Sequence, residues 1–179
     1  MDEMLVAMYK SVLNKKNKVL RENLSRSFKL LGRYCPPSSY ESLVMSAIKN
    51  DLAAWYPYTQ AGSLKAFGLL FHGAIELLPE AKYLDKVQPL LANFVSTVTD
   101  YVLDGLDLEL GEILIETLDE VIQSLLTKQR KGLDVKFLLE PHMDDIFKMI
   151  FRASSVFQSF KLQSKAEPEN IKASKALIS

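Results

Sequence analysis

Carboxylates are concentrated on one side of a single predicted helix in the second half of the chain. Within residues 108–127, glutamates recur at helical spacing opposite a leucine stripe, at positions Glu109, Glu112, Glu116 and Glu120. Asp119 lies beside them, and no lysine or arginine occurs between Lys86 and Lys128. Acid–base catalysis requires carboxyl groups in differently perturbed pockets, whereas these share one polar face. The stripe is therefore either a partner-binding surface or a solvated face, because like-charge neighbours cost only about a few tenths of a kcal/mol per pair.

The equivalent face of an earlier predicted helix is mostly basic. Opposite its apolar stripe it carries Lys18, Arg26, Lys29 and Arg33. If the second helices of successive helix pairs stack, both charged stripes should lie on one side of the molecule, separated by a mixed face of Lys65, His72 and Glu76. Such a concave surface would have a basic end and an acidic end, and could orient a charged partner.

Aromatic residues form a second candidate contact site. Trp55, Tyr56 and Tyr58 fall in a predicted loop that joins the two helices of one unit and is punctuated by Pro57. Aromatic side chains beside a rigid scaffold are typical anchors for a partner protein. The alternative is that they fold back and pack the loop itself.

Residues for nucleophilic, phosphate or metal chemistry are scarce. Of the two histidines, His72 shares a predicted helix face with charged residues and should be exposed, while His142 falls in a first helical turn. The chain lacks phosphate-loop, nucleophile-elbow, paired-histidine and dinucleotide-binding motifs. The single cysteine, Cys35, excludes an internal disulfide and a multi-cysteine zinc site, and is expected to be a small buried hydrophobe. We therefore expect a non-enzymatic protein with no cofactor and no metal.

Composition indicates one folded, cytoplasmic domain. The 179 residues are 48% hydrophobic and balance 22 basic against 22 acidic side chains. Neutral charge argues against general nucleic-acid binding and against adhesion to acidic membranes. No apolar run approaches the roughly 20 residues of a membrane span. The first residues do not resemble a signal peptide.

The stretch LLGRYCPPSSYESL predicts a stop and restart between two helices. Pro36 and Pro37 cannot continue a helix, so the first should end near Tyr34. Ser38 and Glu41 then have capping-box spacing, which predicts a second helix that starts at once. A junction this short brings two helices side by side, as in a hairpin or a repeat.

Helical periodicity recurs along the rest of the chain, and strand-like alternation is missing, which predicts an all-α fold. We expect one further helix to end near residues 78–79 and a second to begin around residue 84, with a kink or a late start at Pro89. A third should span residues 108–127, and a fourth should begin at residues 140–141. The last should bury Ile146, Phe147, Ile150 and Phe151. Across the whole chain, the residues expected to face inward are Phe28, Leu31, Leu43, Phe67, Phe71, Phe94, Leu114, Leu118 and Phe147.

The predicted helices group into about four antiparallel pairs, which begin near Met4, Ser39, Lys82 and Glu140. Their spacing of roughly 35 to 60 residues brackets the period of about 40 to 47 found in HEAT and armadillo arrays. Residues 1–163 would form a stacked α-solenoid. Residues 164–179 would be a polar tail or the start of a further repeat helix, and the chain could be part of a longer array. A plain helical bundle remains the alternative.

Residues 58–70, YTQAGSLKAFGLL, resemble the second helix of a HEAT repeat. Together with LLGRYC at residues 30–35, they are similar to the HEAT-repeat dynein axonemal assembly factors. That resemblance implies a cytoplasmic scaffold which works with chaperones and dynein chains to build ciliary dynein arms, without catalysis of its own. Tubulin-binding HEAT modules, which use intra-repeat loops, and transport adaptors are the alternatives.

Overall fold

A computed structural model describes residues 7–8, 11–13, 16–35, 50, 57–76 and 84–176, with the backbone alone at 57–59, 85 and 162–176. Every regular element in these ranges is helical, which confirms the all-α class. Two 3₁₀ turns, Leu103–Gly105 and Glu140–His142, accompany six α-helices: α1 (Lys18–Tyr34), α2 (Pro57–Ile75), α3 (Leu84–Tyr101), α4 (Leu108–Arg130), α5 (Lys136–Leu139) and α6 (Met143–Ala176).

Local capping signals account for the ends of α1 and α4. The side chains of Asn17 and Asp107 accept hydrogen bonds from the third backbone N–H of each helix, at 3.0 and 2.8 Å. Helix α1 ends at Tyr34, as the proline pair predicted. Helix α4 runs three residues beyond the predicted position 127, and Gly132 follows it with φ of 90°, the left-handed conformation that glycine adopts readily after a helix.

Helix α2 occupies the centre of the molecule, between α1 and α4, while α3 packs on α2 and α6 packs on α4. Its apolar residues surround the helix axis, as expected for a helix covered on most sides. Phe67 stacks on Phe94 of α3 with ring centroids 3.9 Å apart. The inward prediction is confirmed for Phe28, Phe67, Phe71, Phe94, Leu114 and Leu118, and Leu31 is partly buried.

Glycines allow α1 and α2 to approach closely. A Cβ atom on Gly32 would collide with the backbone carbonyl of Leu70, and one on Gly73 would collide with the carbonyl of Lys29. The two helices therefore touch backbone to backbone. The sequence pattern did not identify either glycine as an interface residue.

Lys86 on α3 holds the carboxyl end of α1. Its ammonium nitrogen donates to the carbonyls of Gly32 and Cys35, both at 2.7 Å. These carbonyls belong to the end of a helix, where no intrahelical donor remains. Burial lowers the pKa of Lys86, with the nearby Cys35 acting weakly in the opposite direction. Cys35 itself is half-buried against the core.

The stripe predicted for α6 was partly wrong. Phe147 is 59% exposed and Phe151 is 76% exposed, whereas Met149 and Ala153 are buried. Ile146 lies inside as predicted. Helical spacing alone did not distinguish the face that carries the aromatic residues from the neighbouring face. Helix α6 packs on α4 through Ile146, Met149 and Ala153, about a quarter turn from the centre of the predicted stripe.

The loop predicted to hold Trp55, Tyr56 and Tyr58 was also wrong from Pro57 onward. Pro57 is the first residue of α2, so Tyr58 belongs to a helical turn and not to a loop. Proline is well suited to this position because its missing N–H has no intrahelical role there. Helix α2 ends at Ile75, earlier than predicted, and α3 contains Pro89 in its interior. Trp55, Tyr56, Ser38 and Leu43 lie outside the described residues.

Helix α6 runs without interruption across residue 163. In the described part of the chain, none of the helices combines the length and the apolar character needed to cross a membrane.

Candidate functional site: a charged groove

Three helices form an open groove of about 770 Å³ on one side of the molecule. Helix α1 contributes Arg33, α2 contributes the residues in the middle of the groove, and α4 forms the opposite wall. We call this surface the charged groove and define it by Arg33, Lys65, His72, Glu76, Glu120 and Lys128. The floor of the groove is polar. The polar residues Lys65, His72 and Glu76 form a narrow edge along α2, and this edge faces the opening.

Helices α2 and α4 run parallel along the groove. Three contacts between them follow the same order on both helices: Lys65 with Glu116, His72 with Ser124, and Glu76 with Lys128. Helix α3 lies between them in the chain.

Ion pairs close the middle of the groove. Lys65 lies 3.4 Å from Glu116 and 3.9 Å from Glu120. Lys29 of α1 reaches the same Glu120 at 3.6 Å, although α2 separates α1 from α4. Side chains of non-adjacent helices can meet over α2 only if the surface curves inward, so the groove is concave. These pairs are partly exposed, and each contributes about 1 kcal/mol or less to stability.

A second group of contacts joins the carboxyl-terminal ends of α1, α2 and α4. Arg33 pairs with Glu76 at 3.3 Å, and the Lys128 ammonium donates to the Glu76 carbonyl at 2.7 Å. Partial burial lowers the pKa of Lys128, and the cations Lys131 and Arg33 lower it further against the opposing effect of Glu76. Positive charge is therefore crowded at this end of the groove.

His72 is half-buried, so its predicted full exposure was wrong. Its Nδ1 lies 3.1 Å from the Ser124 hydroxyl, which itself donates to the Glu120 carbonyl at 2.7 Å. Because the Ser124 hydroxyl donates its proton to the Glu120 carbonyl, its oxygen accepts a hydrogen bond from the His72 Nδ1–H. Nε2 then faces the Glu76 carboxylate at 3.5 Å, a contact that becomes an ion pair when the ring is protonated.

Serine, histidine and glutamate in contact invite comparison with a hydrolase triad, but their arrangement is not suited to nucleophilic attack. Ser124 is almost fully buried, and its proton is directed at a backbone carbonyl rather than at His72. It also lies inside α4, where backbone N–H groups are used by the helix and none is free to stabilise an oxyanion. The contact holds α2 to α4. No group of three or more potential metal ligands occurs among the described side chains.

The structure brings together part of the predicted site. Arg33, Glu116 and Glu120 line the groove, and Lys29 pairs with Glu120 beside it. Glu109 and Glu112 are exposed further along α4, and Arg26 is exposed on α1. Sequence spacing did not reveal that Lys29 and Lys65 pair with Glu120. It also did not reveal that Ser124 and Lys128 contact α2. Helical periodicity assigns a residue to a face but does not reveal which residue it meets across an interface.

Comparisons of the chain with protein-family models, with curated proteins and with solved structures found no match.

Proposed function

We propose that this protein is a non-enzymatic protein-interaction scaffold which holds a partner along the charged groove. The observation that carries the proposal is the Lys29–Glu120 contact, because it places charged residues of three neighbouring helices on one concave surface. Scaffolds built from stacked helices use such inner surfaces to bind partners. The groove offers many charged contacts and no arrangement suited to nucleophilic chemistry.

We further propose that the architecture is a HEAT- or armadillo-like α-solenoid rather than a plain bundle. Support comes from the parallel packing of α2 and α4, with α3 between them in the chain. In an up-and-down bundle, by contrast, the principal neighbours are consecutive antiparallel helices. Lateral packing of α1 on α2 and of α2 on α4 is what successive repeats would produce.

The narrower proposal is a cytoplasmic assembly factor for axonemal dynein arms, with dynein chains and chaperones as partners. It rests on the resemblance of residues 30–35 and 58–70. A tubulin-binding module and a transport adaptor are the competing assignments. The tubulin assignment relies on the loop that contains Trp55, which lies outside the described residues.

Affinity capture from ciliated-cell extract with the full chain tests these assignments. Recovery of dynein heavy or intermediate chains together with chaperones supports the assembly factor, whereas tubulin alone or nuclear cargo favours the alternatives. Recovery of no protein above the level of a tag-only control contradicts the scaffold.

Charge reversal shows whether the captured partner uses the groove. Glu112→Lys should reduce capture at least severalfold, and the captured complex should dissociate as salt is raised, because exposed charges steer association. Glu140→Lys is the matched control, since Glu140 is also exposed but lies on another element, whereas Glu112 lies one helical turn before the groove residue Glu116 on the same face of α4. Both variants should keep the wild-type melting temperature.

A further inference from the structure

The charged groove has a neutralised centre and two oppositely charged rims. Helix α1 carries five basic residues and one acidic residue, whereas residues 108–120 of α4 carry five acidic and no basic residues. The inner members pair with each other through Lys29, Lys65 and Glu120. We define the two rims as the continuation of the α1 and α4 faces beyond the groove lining, at Arg26 on α1 and at Glu109 and Glu112 on α4; these three residues are exposed and make no ion pair with a described residue.

Helix packing sets the distance between the rims. Neighbouring helices pack roughly 8–10 Å apart, and α1 and α2 approach more closely at their glycines, so the axes of α1 and α4, with α2 between them, are separated by at most about 16–20 Å. An extended peptide advances about 3.3–3.6 Å per residue and crosses this distance in about five to six residues. A helical ligand would need about 11 to 13 residues at roughly 1.5 Å each.

The floor of the groove favours an extended ligand. Lys29 and Glu120 meet over α2 at 3.6 Å, so a ligand that crosses from rim to rim lies above this ion pair, and a helix about 10–12 Å across would hold its axis further from both rims than an extended chain. An extended chain occupies a strip only about 5 Å wide. It can pass over the paired centre with uncharged residues.

Building on the scaffold function, we propose that the groove binds an extended peptide segment that runs across α1, α2 and α4. An acidic block of the peptide lies over the α1 rim near Arg26, and a basic block lies over the α4 rim near Glu109 and Glu112. About five to six residues separate the centres of the two blocks. Charge complementarity at both rims selects this partner and rejects segments of uniform charge.

Fluorescence anisotropy with the full chain and labelled synthetic peptides tests the spacing. The peptides carry four glutamates and four lysines as two blocks, separated by neutral linkers of two, zero or eight residues, which place the block centres about six, four or twelve residues apart. A fourth peptide has the same composition with alternating charges. Each block peptide is made in both orders along the chain. We expect the six-residue spacing to bind about tenfold more tightly than the alternating peptide, with affinity that falls as salt is added.

Rim variants test which block each rim holds. Arg26→Glu should weaken a peptide carrying only the acidic block by about fivefold and leave one carrying only the basic block at wild-type affinity or above. Glu109→Lys combined with Glu112→Lys should do the opposite. Glu140→Lys controls for net charge, and circular dichroism verifies that each variant is folded. Equal effects of both rims on both peptides would overturn the two-rim assignment.

Three other outcomes also overturn it: equal binding of the alternating peptide, tightest binding at the twelve-residue spacing, and absence of binding by every block peptide. The scaffold function is judged separately by affinity capture. A partner captured equally by the wild-type chain and the rim variants would leave the scaffold in place and remove the groove as its docking site.

Discussion

The two sides of α2 are joined to their neighbours by different means. Toward α1 the contact is backbone on backbone, because Gly32 and Gly73 each lie against a carbonyl of the other helix. Toward α4 polar side chains add to the apolar contact: the Thr117 hydroxyl, which donates to the Ile113 carbonyl at 2.8 Å, lies 3.3 Å from the Leu64 carbonyl of α2, and His72 bonds to Ser124. The first interface is specified by missing side chains, and the second by particular side chains.

This difference has consequences for the groove. The α1–α2 distance cannot increase to admit a side chain without moving a whole helix, so it fixes the position of the basic rim. The α2–α4 contact combines buried apolar residues with several modest polar interactions, each of which can be lost separately. Substitutions should therefore have an all-or-none effect on one side of α2 and graded effects on the other.

The largest effect is expected for Gly32→Ala and Gly73→Ala. Each added methyl group would overlap a backbone carbonyl, and because overpacking with a backbone shift typically costs about 1–3 kcal/mol and occasionally more, we expect a loss at or above the top of that range. Urea denaturation of the purified variants measures the loss. Gly111→Ala is the control, since its Cβ would lie at an ordinary 3.9 Å from Leu106 and Phe157, and it should stabilise by about 0.5–1 kcal/mol. Similar results at all three glycines would contradict the backbone contact.

Replacement of Lys86 by methionine should weaken the same side of α2 less severely. It removes the donor for the carbonyls of Gly32 and Cys35, and buried acceptors without a partner cost about 1–3 kcal/mol. Thermal and urea unfolding at neutral pH measure the difference from wild type.

The cost of losing Lys86 should also depend on pH. Because burial lowers its pKa in the folded chain, Lys86 binds fewer protons folded than unfolded between that pKa and its ordinary value of 10.5. The Lys86 contribution to the free energy of unfolding therefore rises with pH across this window. The gap between wild type and Lys86→Met should widen there, and a gap that narrows with rising pH would show that the ammonium is not desolvated.

On the α4 side, Ser124→Ala should cost about 1 kcal/mol, since the His72 Nδ1–H loses its acceptor. Thr127→Ala is a matched control on the same helix: its hydroxyl also donates to a carbonyl four residues earlier, but it is exposed and makes no described contact with α2. Equal losses at both positions would place the stabilisation within α4 rather than between the helices.

The smallest effect is expected for Glu116→Gln. Glu116 is 59% exposed, and Lys65 keeps Glu120 as a second partner, so the loss should be about 0.3 kcal/mol. Glu120→Gln should cost more because Glu120 serves both Lys29 and Lys65. If Glu116→Gln proves the more costly substitution, the centre of the groove is not joined through Glu120.

Much of the secondary structure could be predicted because its signals are local. The proline pair after Cys35 and the glycine after Lys131 act within a few residues, and both helix ends were correctly located to within three residues. The start of α2 was missed for an equally local reason: proline both breaks a preceding helix and suits the first turn of a new one, and the sequence did not distinguish these roles. Phe147 and Phe151 were misassigned because large aromatic residues were given more weight than the small Ala153.

The sequence by itself determined the helical class, the apolar faces of α1 and α4, and the two opposite charge stripes, since each depends on residues within one or two helical turns of each other. Only the tertiary structure decided that Lys29 would meet Glu120, that His72 would be held by Ser124, and that Lys86 would cap α1. These contacts join residues far apart in the chain, and they depend on how closely the helix axes approach. At the α1–α2 interface that approach is set by two glycines, whose importance lies in the side chains they lack and is visible only when the opposing backbone is in place.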